Sequence, residues 1–168
     1  MMKITMDLAY IEKMEVKKEN ENVEFRSYLK CHSLPSEEID TIVHRILAEV
    51  TAQIDCTKCG NCCEKIRPTL DEEDIIIFAK GLGMPVQQFK TLFLTHEKLR
   101  KPNLIFEELP CPFLADHQCT NYDSRPKECR SYPHLHKGDF TSRLYGVLNN
   151  YGICPIVFNV YERLKAVL

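Results

Sequence analysis

The sequence lacks any excess of charge of one sign and any long hydrophobic run. Its 22 basic and 24 acidic residues leave a formal net charge of -2, so no overall field attracts nucleic acid or an anionic membrane. No apolar run approaches the ~20 residues of a membrane-spanning helix, and the first residues contain no continuous apolar segment of the signal-peptide kind. We therefore expect a soluble, cytoplasmic protein with no nucleic-acid or membrane partner.

Repeats and low-complexity segments are also absent, and 168 residues correspond to about one domain. A chain of this length can bury a proper hydrophobic core, so its folding does not require disulfides. The nine cysteines are then unusual, because thiols in a reducing compartment serve metal binding or redox chemistry rather than a disulfide framework. A secreted disulfide scaffold is the alternative, and the missing signal peptide argues against it.

Four of the cysteines occur within eight residues, from Cys56 to Cys63, in the order Cys-Thr-Lys-Cys-Gly-Asn-Cys-Cys. Thiols at this spacing, on a turn that contains glycine, can converge on one metal ion or iron–sulfur cluster. Adjacent side chains diverge, so either Cys62 or Cys63 is expected to serve a second centre or to stay unligated. The five remaining cysteines are Cys31, Cys111, Cys119, Cys129 and Cys154.

Apolar residues at helical spacing predict five helices. Ser36 is expected to be the N-cap of the first, and Thr69 begins a sequence that matches a capping box for the second. Pro85 suits the first turn of the third helix. The last two helices carry apolar stripes over residues 140–151 and 157–167.

The predicted fold class is therefore mainly α. We expect one helical domain over residues 36–168, with cysteine-rich loops and a short β-hairpin around a metal site. Residues 1–35 are charged and are expected to form an irregular, loosely packed segment, in which Val23–Arg26 is a candidate short strand.

The second sulfur-rich region runs from Cys111 to Pro133. Two short segments around residues 115–117 suit a hairpin that would bring Cys111 and Cys119 together. Pro126 can open a short helix that carries Cys129 and ends before Pro133. Further along the chain, Cys154 precedes Pro155, so its thiol is expected at the positive end of a helix, where a thiolate is favoured.

The spacing favours an iron–sulfur cluster over structural zinc. Structural zinc usually takes two separated C-x2-C pairs, and only the first region contains such pairs. A C-x2-C-x2-C triplet with a remote cysteine before proline resembles ferredoxin spacing, which predicts a 4Fe–4S cluster, with zinc as the alternative. Cys111 and Cys154 both fit the remote role.

Positive charges accompany these cysteines, and cations lower thiol pKa values and offset thiolate charge. We expect Arg125 and Arg130, on either side of Cys129, to line the cofactor site. Second-rank ligand candidates are His117, His134 and His136. Cys31 is expected to be a free cysteine without a ligand role.

The ordered motifs Cys56-x2-Cys59-Gly-x-Cys-Cys63, Cys111-Pro-Phe-Leu and Cys119-x2-Tyr-x2-Arg-Pro-x2-Cys129-Arg-x-Tyr-Pro resemble those of a bacterial cysteine-cluster family. This family is described as a zinc- or iron-chelating domain, is often labelled iron–sulfur oxidoreductase, and shares motifs with the flagellin lysine N-methylase. The resemblance covers about residues 36–168. It implies metal chelation by Cys56, Cys59, Cys62, Cys63, Cys111, Cys119 and Cys129, with Cys154 as an eighth ligand.

Three functions follow as hypotheses. The first is a metal-binding protein with an iron–sulfur cluster and a redox or metal-dependent role. The second is a structural zinc module that presents an interaction surface to a protein partner. The third is a protein-modifying enzyme like the lysine methylase, although the sequence has neither a Gly-rich S-adenosylmethionine-binding turn nor the C-x3-C-x2-C spacing of radical enzymes. The sequence identifies neither a substrate nor a catalytic residue.

Overall fold

The computed structural model of the protein describes residues 3–96 and 104–168. It is mainly α, as predicted. The helices are α1 (Leu8–Lys17), α2 (Glu19–Lys30), α3 (Ser36–Thr51), α4 (Asn61–Lys65), α5 (Glu72–Gly81), α6 (Val86–Phe93), α7 (Lys127–Ser131), α8 (Leu144–Leu148) and α9 (Pro155–Lys165). The strands are β1 (Thr69–Leu70), β2 (Leu94–His96), β3 (Leu104–Phe106), β4 (Leu114–Ala115) and β5 (Gln118–Cys119). Short 3₁₀ turns occupy Cys56–Lys58, Tyr122–Ser124 and Phe140–Arg143.

The chain forms two compact units. The first, here the helical unit, combines Met1–Asp55 with Pro133–Leu168, and the second, here the cysteine unit, is Cys56–Tyr132. The boundary predicted after residue 35 therefore falls inside the helical unit. Within the described ranges, every helix is too short or too polar to cross a membrane.

The core of the helical unit is built on α3 and α9. The α3 side chains that face this core recur every three or four residues, as the sequence pattern requires, and they are Ile39, Val43, Ile46 and Val50. Helix α9 is buried on every side from Pro155 to Leu164. A short helix that is enclosed in this way acts as the centre around which the rest of the unit packs.

Most of the segment predicted to be irregular is helical, which corrects the prediction for residues 8–30. Residues 8–30 form α1 and α2, with Ile11 fully buried and Leu29 nearly so; residues 1–2 lie outside the described part. The candidate strand Val23–Arg26 is part of α2. Few apolar residues are needed when a helix covers a core with a narrow stripe, so the high charge of this segment concealed its periodicity.

One buried carboxylate organises the polar contacts of α9. Glu162 is only 8% exposed, and it accepts hydrogen bonds from the Tyr151 hydroxyl at 2.8 Å and the Lys165 ammonium at 2.6 Å, and a further one from Lys18. These donors, although opposed by burial, hold the pKa of Glu162 below its usual value. The charge is therefore buried with its partners, as buried charges must be.

The cysteine unit has a separate hydrophobic core of aromatic rings. Its centre is Phe78 on α5, whose ring lies 4.8–5.6 Å from the rings of Phe89, Phe106 and Phe113. Strand β3 pairs with both β1 and β2 in a small antiparallel sheet at one side of this core. Cys111 packs against the same cluster, so the sulfur-rich segment adjoins aromatic side chains.

Two helix starts differ from the prediction. Ser36 is the first residue of α3 and Pro35 is its N-cap. The N-cap of α5 is Asp71, which forms the capping box with Asp74, whereas Thr69 belongs to β1. Several successive polar residues could each have been the N-cap. At α5, Thr69 pairs with Ile105 in the sheet, which leaves Asp71 as the cap.

Candidate metal centre

Seven of the nine cysteines belong to the cysteine unit, and none of the nine, all of which lie in the described ranges, forms a disulfide. The exceptions are Cys31 and Cys154, which belong to the helical unit. Cys31 is exposed at the end of α2, and Cys154 is buried as the N-cap of α9. The position of Cys154 before a proline-started helix is as predicted, while its role as a ligand stays a prediction.

Gly60 lets the octapeptide turn sharply between its two cysteine pairs. Its φ of 64° is left-handed, and it is the N-cap of α4, whose first turn carries Cys62 and Cys63. A Cβ on Gly60 would lie 2.7 Å from the carbonyl oxygen of His117. Only glycine accommodates both the dihedral angle and this close approach, so the cysteine loop and the turn of the hairpin fit against each other.

The predicted hairpin is confirmed. Strands β4 and β5 pair antiparallel, with Leu114 opposite Cys119, and the two residues between them, Asp116 and His117, both have positive φ. Such a two-residue turn matches the twist of the strands that it joins. The backbone N–H of Cys111 donates to the carbonyl oxygen of Cys63 at 2.8 Å. This bond connects the hairpin to α4, so thiols that lie far apart in the sequence occupy one region.

Backbone N–H groups point at two of the sulfurs. The Phe113 N–H donates to the Cys111 sulfur, and the Asn121 N–H donates to the Cys119 sulfur. In each case the donor follows the cysteine by two residues. Hydrogen bonds of this kind stabilise a thiolate and are one means by which a protein tunes a metal–sulfur centre.

Helix α5 holds the segments that carry Cys119 and Cys129. The buried Asn121 side chain donates to the carbonyl oxygen of Phe78 at 2.9 Å, which fixes the backbone next to Cys119. The buried Asp74 carboxylate accepts from the Lys127 N–H at 2.9 Å, at the start of α7. The acidic run at the start of α5 therefore caps that helix and also anchors the helix of Cys129.

Four thiols act on one another electrostatically: Cys63, Cys111, Cys119 and Cys129. Burial, together with negative charge on the other three thiols, raises the pKa of Cys129 to about 12. Burial likewise raises the pKa of Cys111 to about 11 and raises that of Cys119. A hydrogen bond with Cys62 instead lowers the pKa of Cys63 to about 7. Four thiolates in this region would repel one another, and a bound cation would remove that repulsion.

The charge of Arg125 acts on this thiol group, whereas Arg130 hydrogen bonds to the backbone of Arg125. The positive charge of Arg125 favours the thiolate forms of Cys63, Cys119 and Cys129: it adds to the lowering of the Cys63 pKa and opposes the burial that raises the pKa values of the other two. The Arg130 guanidinium donates to the Arg125 carbonyl oxygen. Arg125 is thus the arginine whose charge acts directly on the candidate site.

The thiols lie in one region, but their sulfurs are not at the distances that a shared metal would require. Within residues 3–96 and 104–168, no three side chains of His, Cys, Asp or Glu already stand at metal-binding spacing. Of the second-rank histidines, His117 occupies the hairpin turn of the cysteine unit. His134 and His136 belong to the helical unit, and their ligand roles stay predictions.

Sequence reasoning missed the groups that position the sulfurs. The ring of Tyr122 under Arg125, the amide of Asn121 on α5 and the approach of Gly60 to His117 all depend on tertiary contacts. One of these groups had a local signal in the sequence. The backbone N–H two residues after each hairpin cysteine is close enough along the chain to donate to that sulfur.

A mainly α chain that gathers cysteines from a turn, a hairpin and a short helix defines a protein of the cysteine-based metal-chelating class. The family model CxxCxxCC, "Putative zinc- or iron-chelating domain", matches residues 55–147. The match covers more than half of the chain, so the chain belongs to this family. It ends before Cys154 and is narrower than the range 36–168 that the resemblance suggested.

The other two comparisons gave no match, either to a curated protein or to a solved structure. The family membership supports metal binding through the cysteine cluster. The family description names both zinc and iron and does not distinguish between them.

Proposed function

We propose that the cysteine unit binds an iron–sulfur cluster of the 4Fe–4S kind and that the protein has a redox role. One observation carries the proposal: the thiols of Cys63, Cys111, Cys119 and Cys129 come from separate segments and lie within electrostatic range of one another. Four thiolates are the ligand set of such a cluster. The family description, which names iron among its two metals, supports the same proposal.

The residues around these four thiols suit a 4Fe–4S cluster. All four sulfurs are partly buried, two of them accept backbone N–H donors, and Arg125 supplies a positive charge. These are the features with which proteins adjust the potential of a metal–sulfur centre. When bound, the cluster would accept and release single electrons. The chain's own part is to hold the thiolates, to limit the access of water and to balance their charge.

The three other cysteines of the unit belong to the same loop and helix. Cys56 is the first residue of the 3₁₀ turn and Cys59 directly follows it, and Cys62 hydrogen bonds with Cys63. We propose that they complete a second centre or replace one member of the four. About eight iron atoms per chain would indicate two clusters, and about four would indicate one.

The test is metal analysis of protein purified without oxygen. The expected result is iron and acid-labile sulfide in equal amounts, with a brown colour that bleaches when dithionite reduces the cluster. Cys129→Ser should lose most of the iron, whereas the control Cys31→Ser, at an exposed site in the other unit, should keep it. Colourless protein with stoichiometric zinc and no sulfide would reject the iron–sulfur proposal.

A structural zinc site is the second candidate, and the hairpin favours it. Each hairpin cysteine receives an N–H from the residue two positions later, and zinc also binds four thiolates in a closed site. In that case the protein would present a folded surface instead of transferring electrons. Zinc content of one atom per chain, unchanged by reductant, would support this function.

A further inference from the structure

Arg125 is held rigidly beside the candidate centre. Its guanidinium carbon lies 3.4 Å from the centroid of the Tyr122 ring, and its Nε donates to the Tyr122 carbonyl oxygen at 2.9 Å. Its own carbonyl oxygen accepts a hydrogen bond from the Arg130 side chain. The Tyr122 ring and carbonyl thus hold the Arg125 side chain, and the Arg130 bond holds its backbone; the entropy cost of this ordering must be offset by other interactions.

In the part of the chain that the structure describes, Arg125 forms no ion pair. Lys127, two residues further on, is different, because its ammonium binds Asp71 at 2.9 Å and Glu73 at 2.6 Å. The charge of Lys127 is therefore compensated by carboxylates, whereas that of Arg125 remains available to the sulfurs.

Position along the chain places this charge between two candidate ligands. Arg125 joins the 3₁₀ turn Tyr122–Ser124 to the start of α7, after Cys119 and before Cys129. Its charge acts on both of those thiols and on Cys63. It thus acts on three of the four thiols that define the proposed centre.

We propose that Arg125 is the fixed countercharge of the thiolate centre and that it sets the reduction potential of the bound cluster. This inference rests on the proposed function. An arginine suits the task because it stays protonated at any physiological pH and keeps its plane on an aromatic ring. A cation beside a cluster stabilises the reduced form, which carries one more negative charge, and so raises the potential.

The first experiment compares Arg125→Gln with Arg125→Lys by electrochemical titration of anaerobically prepared protein. The electrode supplies the electron, and no covalent bond changes. Loss of the charge should lower the ratio of reduced to oxidised cluster about tenfold at a fixed applied potential, which equals ~59 mV for one electron. Arg125→Lys should recover most of this shift, because lysine restores the charge without the stack.

The matched control is Lys80→Gln, which removes one positive charge from an exposed site at the end of α5 in the same unit. It should leave the potential unchanged. Equal shifts in Lys80→Gln and Arg125→Gln would show a general charge effect and would overturn the inference. No shift in Arg125→Gln would overturn it as well.

A second pair of variants tests the rigid placement. Tyr122→Leu removes the ring beneath Arg125 but keeps the backbone carbonyl, so the potential should fall by less than in Arg125→Gln. Tyr122→Phe keeps the ring and should match the unmodified protein. These variants retain Arg125, so they still decide the matter if Arg125→Gln fails to keep its cluster. An unchanged potential in Tyr122→Leu would contradict the role assigned to the stack.

Failure of the inference about Arg125 can be distinguished from failure of the iron–sulfur proposal. If the unmodified protein holds zinc, the iron–sulfur proposal fails, but the countercharge can still be measured through the dissociation constant of zinc. Arg125→Gln should then bind zinc about tenfold more weakly than Arg125→Lys and Lys80→Gln, because the thiolates lose their countercharge. Equal zinc affinities in all three variants would overturn the inference about Arg125.

Discussion

The helical unit and the cysteine unit solve the problem of folding in different ways. In the helical unit, α9 is enclosed by apolar faces, and its buried carboxylate Glu162 has three donors. In the cysteine unit, aromatic rings form the core, and burial together with neighbouring thiols raises the pKa values of Cys111, Cys119 and Cys129. The first unit pairs its buried carboxylate Glu162 with its own donors, and the second has thiols whose ionised forms need a cation from outside.

This difference implies that metal contributes to stability in one unit only. A bound metal reduces the repulsion between thiolates, so the free energy of metal binding adds to the stability of the folded unit. Apolar burial in the helical unit needs no such contribution. Four predictions test the comparison, in order of decreasing effect.

Removal of the metal should have the largest effect. When a chelator extracts it under anaerobic conditions, we expect near-ultraviolet signals of the cysteine unit to be lost while most helical circular dichroism persists. The same result is expected for Cys111→Ser, which removes a sulfur that packs against the aromatic cluster. The measurements are metal content and circular dichroism during heating.

Cys31→Ser is the matched control for Cys111→Ser, because Cys31 is exposed in the helical unit. It should change neither the metal content nor the melting temperature. If chelation abolishes the helical signal completely, the division between a metal-dependent and a metal-independent unit is wrong.

The next largest effect is expected from truncation of the aromatic core. Phe78→Ala removes the ring that contacts three others and should cost about 3–5 kcal/mol of the free energy of unfolding. Because α5 also anchors the segments of Cys119 and Cys129, metal retention should fall with it. Denaturant unfolding and metal analysis on the same sample measure both.

The comparison variant is Leu144→Ala in the helical unit, where the leucine is fully buried. Its cost should be about 2–5 kcal/mol, with the metal retained at room temperature. Loss of metal in both variants to the same degree would contradict the separate roles of the two units.

The two units also differ in how far the sequence predicted them. Apolar spacing located α3, α5 and α9, because a helix that buries one face must repeat every three or four residues. It missed α1 and α2, in which charged residues outnumber the few buried positions. Proline signals located the short helix of Cys129 and the start of α9.

In the cysteine unit the motifs identified the sulfurs but not their supports. The spacing of the cysteines and the hairpin turn are local properties, and they were predicted. The proximity of Cys63 to Cys111 depends on a backbone hydrogen bond between residues that lie far apart in the sequence, which no local pattern encodes. The same is true of Asn121, whose amide reaches the carbonyl of Phe78 on another element.

A smaller effect is expected at the glycine of the octapeptide. Gly60→Ala would place a methyl group 2.7 Å from the His117 carbonyl oxygen and at a left-handed φ. It should cost about 1–3 kcal/mol, in the range of strained backbone sites, and it should weaken metal binding because α4 carries Cys62 and Cys63. Competition with a metallochromic chelator measures the second effect.

Gly83→Ala separates strain from contact. Gly83 has nearly the same φ, 66°, but among the described residues, apart from its neighbours in the chain, no atom lies within 4 Å of the position that its Cβ would take. This variant should lose about 1 kcal/mol of stability from the dihedral angle alone and should bind metal as the unmodified protein does. Equal metal affinities for the two alanine variants would show that the approach of Gly60 to His117 does not shape the centre.

The smallest effect concerns acid sensitivity in the helical unit. Lysine and tyrosine donors hold the pKa of Glu162 below its usual value against the opposing effect of burial. A lowered folded-state pKa means that the stabilisation is complete above the unfolded pKa of about 4.5 and is lost as the pH falls through the lower folded value. Glu162→Gln should therefore melt a few degrees below the unmodified protein at pH 7, at about 2–4 °C for each kcal/mol.

The difference in melting temperature should close as the pH is lowered from about 5 to about 3, because protonated Glu162 and glutamine are both uncharged. Acid also releases metal from thiolates, but this happens in both proteins and cancels in the difference. Glu24→Gln, at an exposed site on α2, should match the unmodified protein throughout. A difference in melting temperature that stays constant below about pH 4 would mean that the introduced glutamine perturbs packing instead of removing a charge. The charge of Glu162 would then not stabilise the helical unit.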